Sequence, residues 1–421
     1  MPQLPKVKIN QMSLIPKSYL SVLKDRDFFL LTCVIFIGQF ASAFLMLALV
    51  VSVFAETKSN FGVSGVIASF TVPGFLLMAI AGLAADIFDR KKIILLANTI
   101  ITLVVLLILF SIETVYASIP LSFLYFAGNV FFYPASAAAS AQLVKKKQLL
   151  AANSIYIFTL SGGIILGLFL AAVIHFFLGN RATLVICEIL LIAAAVLSVF
   201  LPPLIPRKIK NYSVSKTLSD IWSAFIYIFN QKLIWFFFLI FALMQGIIAF
   251  GVTLAPGFFD EVVGLSINKS PIFIFPFIGF GVLLGLIFVH NWKLQEGQIV
   301  TVGIGTLGFA TLVLGLILRL NAISGRLLLV PVGVFLVLLG FAVIDCIIAS
   351  RTVMQKKVSH HYQGTVFGAN IILSSFLGAT MAPSAAVFEV LLGYVNVLIF
   401  SGLGFLALSA LFSRFSLRWK F

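Results

Sequence analysis

Charge is what this chain has least of. Its 421 residues include only 13 Asp and Glu, and charged residues of both signs make up 10%. Soluble domains carry about 25%. So little charge cannot cover a water-facing surface, which excludes a soluble enzyme or a soluble binding module. Histidine and cysteine are also scarce, at 4 and 3. Cys33, Cys187 and Cys346 sit in apolar runs without metal or redox spacing, and the His360–His361 pair has no third ligand near it. A disulfide framework and a metal module are thereby excluded. No G-x-x-x-x-G-K-[ST] segment occurs, so a phosphate loop for ATP is excluded too. Long polar stretches are missing, which leaves no room for an external catalytic or receptor domain.

What is present is hydrophobic sequence, 62% of the chain. A membrane-crossing helix needs about 20 apolar residues. Twelve such runs can be placed, at approximately 28–54, 62–84, 92–112, 118–143, 151–178, 182–204, 233–255, 271–291, 298–319, 327–350, 364–386 and 393–413. The runs are continuously apolar rather than alternating, which predicts helices and not a barrel. The opening segment is polar and basic and ends in a full-length span, not in a small-residue cleavage site, so no cleavable signal is expected.

A net charge of +15 would suggest nucleic acid in a soluble protein. Here the basic residues follow topology. With the N-terminus inside, 23 of the 28 Lys and Arg fall on the inner side and 5 (Lys58, Arg181, Lys269, Arg319 and Arg326) on the outer side. That asymmetry predicts a multi-pass protein of the cell membrane with both termini cytoplasmic. Its partners are the lipid bilayer, with anionic headgroups against the basic loops, and a small-molecule substrate, but no nucleic acid; a monomer is expected. The longest interior polar connection, residues 205–232, contains Arg207, Lys208, Lys210 and Lys216 and divides the spans six and six. The expected organisation is a tail (1–27), a six-helix bundle (28–204), a cytoplasmic linker (205–232), a second six-helix bundle (233–413) and a tail (414–421).

Between spans two and three the chain reads GLAADIFDRKK, from Gly82 to Lys92. This resembles the signature loop of major facilitator superfamily transporters, G-x-x-x-D-R-x-G-R-R and its variants. Two further stretches resemble the macrolide-efflux-like, drug-exporter branch of that superfamily: FFYPASAAASAQLVKKKQLLAANS from Phe131 to Ser154, and YQGTVFGAN from Tyr362 to Asn370. The chain departs from the branch at Ile87 and Thr365, where Arg is usual, and lacks a proline after Gly162, Gly163 and Gly167 in span five. The second-half counterpart of the loop, HNWKLQEGQ, keeps only Lys293 and Glu296. The resemblance implies an all-α membrane protein with twelve transmembrane helices in two pseudo-symmetric six-helix bundles, the major facilitator fold. It also implies a cytoplasmic gate at Gly82, Asp86, Asp89, Arg90 and Lys91, in which Asp86 and Arg90 act as a latch.

Ionisable groups inside hydrocarbon are costly and mark function. Asp345 in span ten and Glu188 near the outer end of span six have no basic residue within their own spans. Both are candidates for proton coupling, Asp345 with a structural hydrogen bond to a helix terminus or to Arg351 as its alternative. In the implied fold, spans one, four, seven and ten line the central path. They carry Gln39 and Ser42, Asn129 and Tyr133, Gln245, and Asp345 respectively, which together predict a polar substrate cavity. Asn153, Tyr156, Asn370, Ser374 and Ser375 are secondary candidates, and Phe36 and Phe40 could line an apolar wall. The expected function is alternating-access secondary transport without an enzymatic step or a bound cofactor, with the proton gradient as energy source and efflux of amphipathic or hydrophobic molecules. Scarce intramembrane Lys and Arg argue against a strongly anionic substrate. A lysophospholipid or siderophore exporter, or a non-transporting receptor or assembly factor, is the alternative.

Overall fold

The computed structural model describes residues 17–111, 115–145, 148–206, 214–291, 294–321, 323, 325–358 and 363–416. The N-terminal residues 1–16, Lys146, Lys147, Arg207, Lys208, Lys210, Lys293, the His360–His361 pair, Tyr362 and the last basic residues Arg418 and Lys420 lie outside them. The described residues form twelve α-helices and no strand: α1 (Lys17–Leu23), α2 (Arg26–Thr57), α3 (Asn60–Ile87), α4 (Arg90–Phe110), α5 (Val115–Gln142), α6 (Leu149–Val199), α7 (Val214–Phe229), α8 (Lys232–Gly257), α9 (Ser270–Asn291), α10 (Glu296–Arg319), α11 (Leu329–Lys357) and α12 (Gln363–Ser416).

Two of these helices are double. α6 has 51 residues and α12 has 54, each far beyond the roughly 20 that cross a bilayer. Each is interrupted at one glycine with positive φ, Gly179 at +81° and Gly393 at +73°. Only glycine enters these backbone conformations without steric cost. Packing shows that the chain reverses there. Ala151, at the start of α6, packs with Phe28, while Leu201 and Leu204, just past its end, pack with Leu31 and Ile94 a turn away. In α12, Val366 and Phe412 both pack around the start of α8, at Phe238 and Phe237. The expected Gly179–Arg181 loop is thus a turn centred on a single residue. With α2 to α5 and α8 to α11, the four arms complete twelve crossings. Among the described residues nine stretches have the length and apolar composition of membrane spans, two of them double; α5, with Pro120, Pro134 and a Ser/Ala-rich end, is not among the nine.

Twelve crossings give the molecule two faces. One carries α1, α7 and the helix ends near both termini, and is called here the termini face. The other carries the turns after α2, α8 and α10 and the glycine turns, and is called the turn face. Polar caps start the helices at the membrane surface. Asp25 Oδ1 accepts from the Asp27 and Phe28 amides at 3.1 Å, and Asp89 Oδ1 accepts from the Lys91 amide at 3.0 Å. The region expected as an irregular linker holds a helix, α7, whose aromatic residues Phe225 and Phe229 pack on Phe238 and Trp235 of α8. The segment between the expected spans 233–255 and 271–291 holds a π-helical turn over Phe258–Val263.

Small residues set the closest helix contacts. A Cβ on Gly163 or Gly167 would meet the α2 backbone at Phe36 O (3.1 Å) or Phe40 O (2.8 Å). The span-five glycines therefore permit close helix approach without a proline.

Candidate functional site

The first half builds a continuous polar seam between α2 and α5. Gln39 is 1% exposed, and its Oε1 accepts from the Tyr133 hydroxyl at 3.3 Å. Its Nε2 has no hydrogen-bond partner among the described residues. The Tyr156 hydroxyl, on α6, donates to the Tyr133 carbonyl at 3.3 Å and lies 3.2 Å from Ser136 Oγ. One turn further on, Ser42 Oγ donates to Gly38 O at 2.9 Å and pairs with the Tyr125 hydroxyl at 2.7 Å. Asn129 Nδ2 donates to Tyr125 O at 3.2 Å. Gln39, Ser42, Asn129 and Tyr133 are therefore one cluster. Phe36 and Phe40 stack along the same helix, ring centroids 5.9 Å apart.

The two remaining cavity candidates sit in the second half. Gln245 is half-buried on α8. Asp345 is fully buried on α11, facing α9 and α10: a Cβ on Gly285 would lie 2.8 Å from its Oδ1, and one on Gly303 would lie 3.6 Å from its Cβ. Among the described residues neither carboxylate oxygen has a hydrogen-bond partner, so the expected alternative of a bond to a helix terminus or to Arg351 is not made there. The reason is helical geometry. α11 runs on to Lys357, about three turns past Asp345, and six residues of helix put Arg351 on a different face. Glu188 is 6% exposed, with Oε2 unpartnered, about two and a half turns beyond Gly179. It is a mid-arm residue rather than one near the outer end. Among the secondary candidates, Asn370 donates to Phe238 O at 2.9 Å, Ser375 packs beside Gly74, and Asn153 is exposed.

The Gly82–Lys92 loop fastens the first half to itself. Arg90 Nε donates to Ala85 O at 3.1 Å, and one terminal nitrogen donates to Ala138 O at 3.4 Å and Gln142 Oε1 at 2.6 Å. A guanidinium on the last carbonyls of α3 and α5 is favoured by both helix dipoles. Asp89 Oδ1 also accepts from the Leu204 amide at 2.9 Å, and Leu204 O accepts from the Arg90 amide at 3.2 Å. Asp86 is exposed at the end of α3 with Arg90 as its charged neighbour; Lys91 is half-buried, and Gly82 has open space where a Cβ would go. The bonds of Arg90 and Asp89 thus join α3, α4, α5 and the segment after α6, all within one half.

The family described as Major Facilitator Superfamily matches residues 28–383. The chain belongs to that superfamily. No curated protein sequence matches it. Among solved structures, it is similar to a POT family transporter in complex with 5-aminolevulinic acid (TM-score 0.73, 13% identity, 96% of this chain and 99% of that one). It is also similar to the nucleoside transporter NupG (TM-score 0.68, 14% identity, 92% and 98%). The human organic anion transporter MFSD10 aligns with TM-score 0.65 and 17% identity over 92% and 98% of the two chains. At such identities the likeness is one of fold.

In this major facilitator protein the polar contacts that join the two halves at the turn face are ones the sequence did not mark as site residues. Asn60 Nδ2 donates to the Tyr394 hydroxyl at 2.7 Å and to Glu389 Oε2 at 3.4 Å, and Lys58 Nζ bonds Asp260 Oδ2 at 3.3 Å. All lie at the turn face. Gly257 is pressed against this group: a Cβ there would meet the Tyr394 hydroxyl and lie 2.8 Å from the Asn60 amide. Asn60 follows the Ser59 cap of α3 and reads from sequence as a capping residue, which hid its role. Nearer mid-membrane, α3 and α12 meet through Gly74 and Ser375, Thr71 and Gly378, and the Phe75–Phe376 ring pair at 5.5 Å.

Proposed function

We propose that the protein exports amphipathic or hydrophobic small molecules by alternating access, with a proton moving inward for substrate moving outward. The turn face is the external one in this reading, in line with the basic residues expected on the inner side. The halves are bonded across that face while the α2–α5 seam keeps an unsatisfied amide, an arrangement that supports a state closed outside with its polar site prepared for a ligand. The proton role falls to Asp345, because both its oxygens are unpartnered in a fully buried position. A charged carboxylate there would be costly to hold, and taking up a proton removes that cost. Glu188 is the second candidate by the same argument. The similar solved structures are a nucleoside transporter, a POT family transporter and an organic anion transporter, which agrees with a transport function.

The test is transport in proteoliposomes under an imposed pH gradient. Asp345→Asn should bind substrate but lose the dependence of transport on the gradient, while Glu188→Gln should reduce it less. Unchanged gradient dependence in Asp345→Asn removes Asp345 from the coupling mechanism.

A further inference from the structure

The 16 residues of α7 fall short of the roughly 20 that cross a bilayer, so this helix stays on the termini face. It packs against α8 and α12 of the second half and also touches α3 of the first. Successive residues of a helix turn by about 100°, and on that wheel the described side chains of α7 fall into three sectors. Phe225, Tyr227 and Ile228 face the protein: Ile228 is buried, and the Phe225 ring meets that of Phe238 at 5.8 Å. Beside them Trp222, Ile226 and Phe229 form an apolar stripe that is 67%, 49% and 65% exposed. Phe229 meets the Trp235 ring edge-on at 5.4 Å, so the stripe borders the packed sector. Ser219 and Ser223, both exposed, continue round its far side.

A helix lying on a protein in water needs two sectors, an apolar one against the protein and a polar one outside. Three sectors fit a helix lying in the plane of the membrane surface, with one flank on the protein, one in the boundary of headgroups and acyl chains, and one in water. An exposed apolar patch of large side chains marks an interaction surface, and a tryptophan within it suits headgroup depth, where its ring is half in lipid and half wet. The charge around the helix names the surface. Residues 205–232 carry five basic residues, Arg207, Lys208, Lys210, Lys216 and Lys232, against one acid, Asp220. Basic residues beside a membrane-surface helix attract anionic headgroups.

We propose that the Trp222–Ile226–Phe229 stripe of α7 is a docking surface for the bilayer at the termini face, held there by anionic lipid headgroups against the surrounding basic residues. The helix is then a strap seated in lipid. It touches both halves on the face where Arg90, Asp89 and Lys356 each bond within one half. The inference is independent of what the protein transports.

The test uses the full chain in nanodiscs with a nitroxide attached through Ile226→Cys or Ser223→Cys, in a Cys33→Ala background, since Cys187 and Cys346 are buried. Both labelled positions are exposed, so the labels leave the packing intact. The ratio of relaxation by oxygen, which concentrates in lipid, to relaxation by an aqueous nickel chelate should be several-fold higher at 226 than at 223. Adding phosphatidylglycerol to phosphatidylcholine discs should raise the ratio at 226 further at low salt. High salt, or the double variant Lys216→Gln/Lys232→Gln, should remove that rise. Equal ratios at the two positions would mean that the stripe faces water, which overturns the proposal. A label at 226 shielded from both reagents would mean that protein covers the stripe, which overturns it too. A lipid-facing 226 indifferent to phosphatidylglycerol overturns the assignment of anionic headgroups.

Discussion

At the turn face the two halves bond to each other, whereas at the termini face the loop expected to latch them bonds within the first half, and a separate ion pair bonds within the second. Asn60, Tyr394 and Glu389 span the halves at the first face, together with Lys58 and Asp260. At the second, Arg90 and Asp89 clamp the first half, and Lys356 bonds Glu296 within the second at 2.6 Å. A rocking transporter needs both kinds of contact. Bonds within a half make it rigid, and bonds between halves set which face is closed. In the proposed alternating-access mechanism, the difference predicts that one face sets the stability of the bundle and the other its conformational equilibrium.

The substitution that should break this division most completely is Gly257→Leu. A side chain at 257 must displace Tyr394 and Asn60, and the π-helical turn that follows cannot retreat without moving Phe258 and Phe259, which are buried. We expect a shift of population toward the state open at the turn face. Cysteines introduced near Asn60 should then react with impermeant maleimide several times faster than in a Gly257 background. Unchanged labelling would mean that the turn face does not hold the halves together.

Arg90→Ala should do the opposite: lower stability without changing which face is closed. Three side-chain hydrogen bonds from a charged donor are lost, two of them to helix-end carbonyls, for an expected destabilisation of about 2–3 kcal/mol. A thermal-unfolding scan in detergent reads it. If Arg90→Ala instead leaves the unfolding temperature unchanged and alters maleimide labelling at the turn face, the loop is a latch after all.

Much of this was legible in the sequence, and what was not has a physical reason. Twelve crossings follow from run length, and the α2–α5 seam follows from placing Gln39, Ser42, Asn129 and Tyr133 on helices expected to be neighbours. Helix rotation was less accessible. A lipid-embedded bundle is apolar on its outside and in its packing, so no polar stripe marks which face of a helix looks inward. That is why Asp345, assigned to the cavity by its span, faces Gly285 and Gly303 inside the second half. The lock at Asn60 and Tyr394 joins positions 334 residues apart and has no local signal.

Tyr394→Phe sharpens the comparison more gently. It removes one hydroxyl, leaves the ring against Phe258, and frees the Asn60 amide to bond Glu389 alone. The expected cost to the closed state is about 1 kcal/mol, a several-fold change in labelling rate in the same direction as Gly257→Leu.

The smallest effect should come from Lys58→Ala, although its ion pair with Asp260 is the most obvious bond between the halves. The Lys58 side chain is 61% exposed and that of Asp260 27%, so water and salt screen the pair. Such pairs contribute about 0–1 kcal/mol. Lys58 also holds a left-handed backbone conformation, with φ at +47°, just past the end of α2. An alanine there loses the charge and keeps the backbone strain, whereas glycine loses the charge and relieves the strain. Comparing Lys58→Ala with Lys58→Gly in the labelling assay at low and high salt separates the two contributions. The salt-dependent part should vanish in both variants, and the glycine variant should unfold at the higher temperature. A large opening of Lys58→Ala relative to wild type at low salt that disappears at high salt would mean that the turn face is held by charge rather than by the buried Asn60–Tyr394 bond.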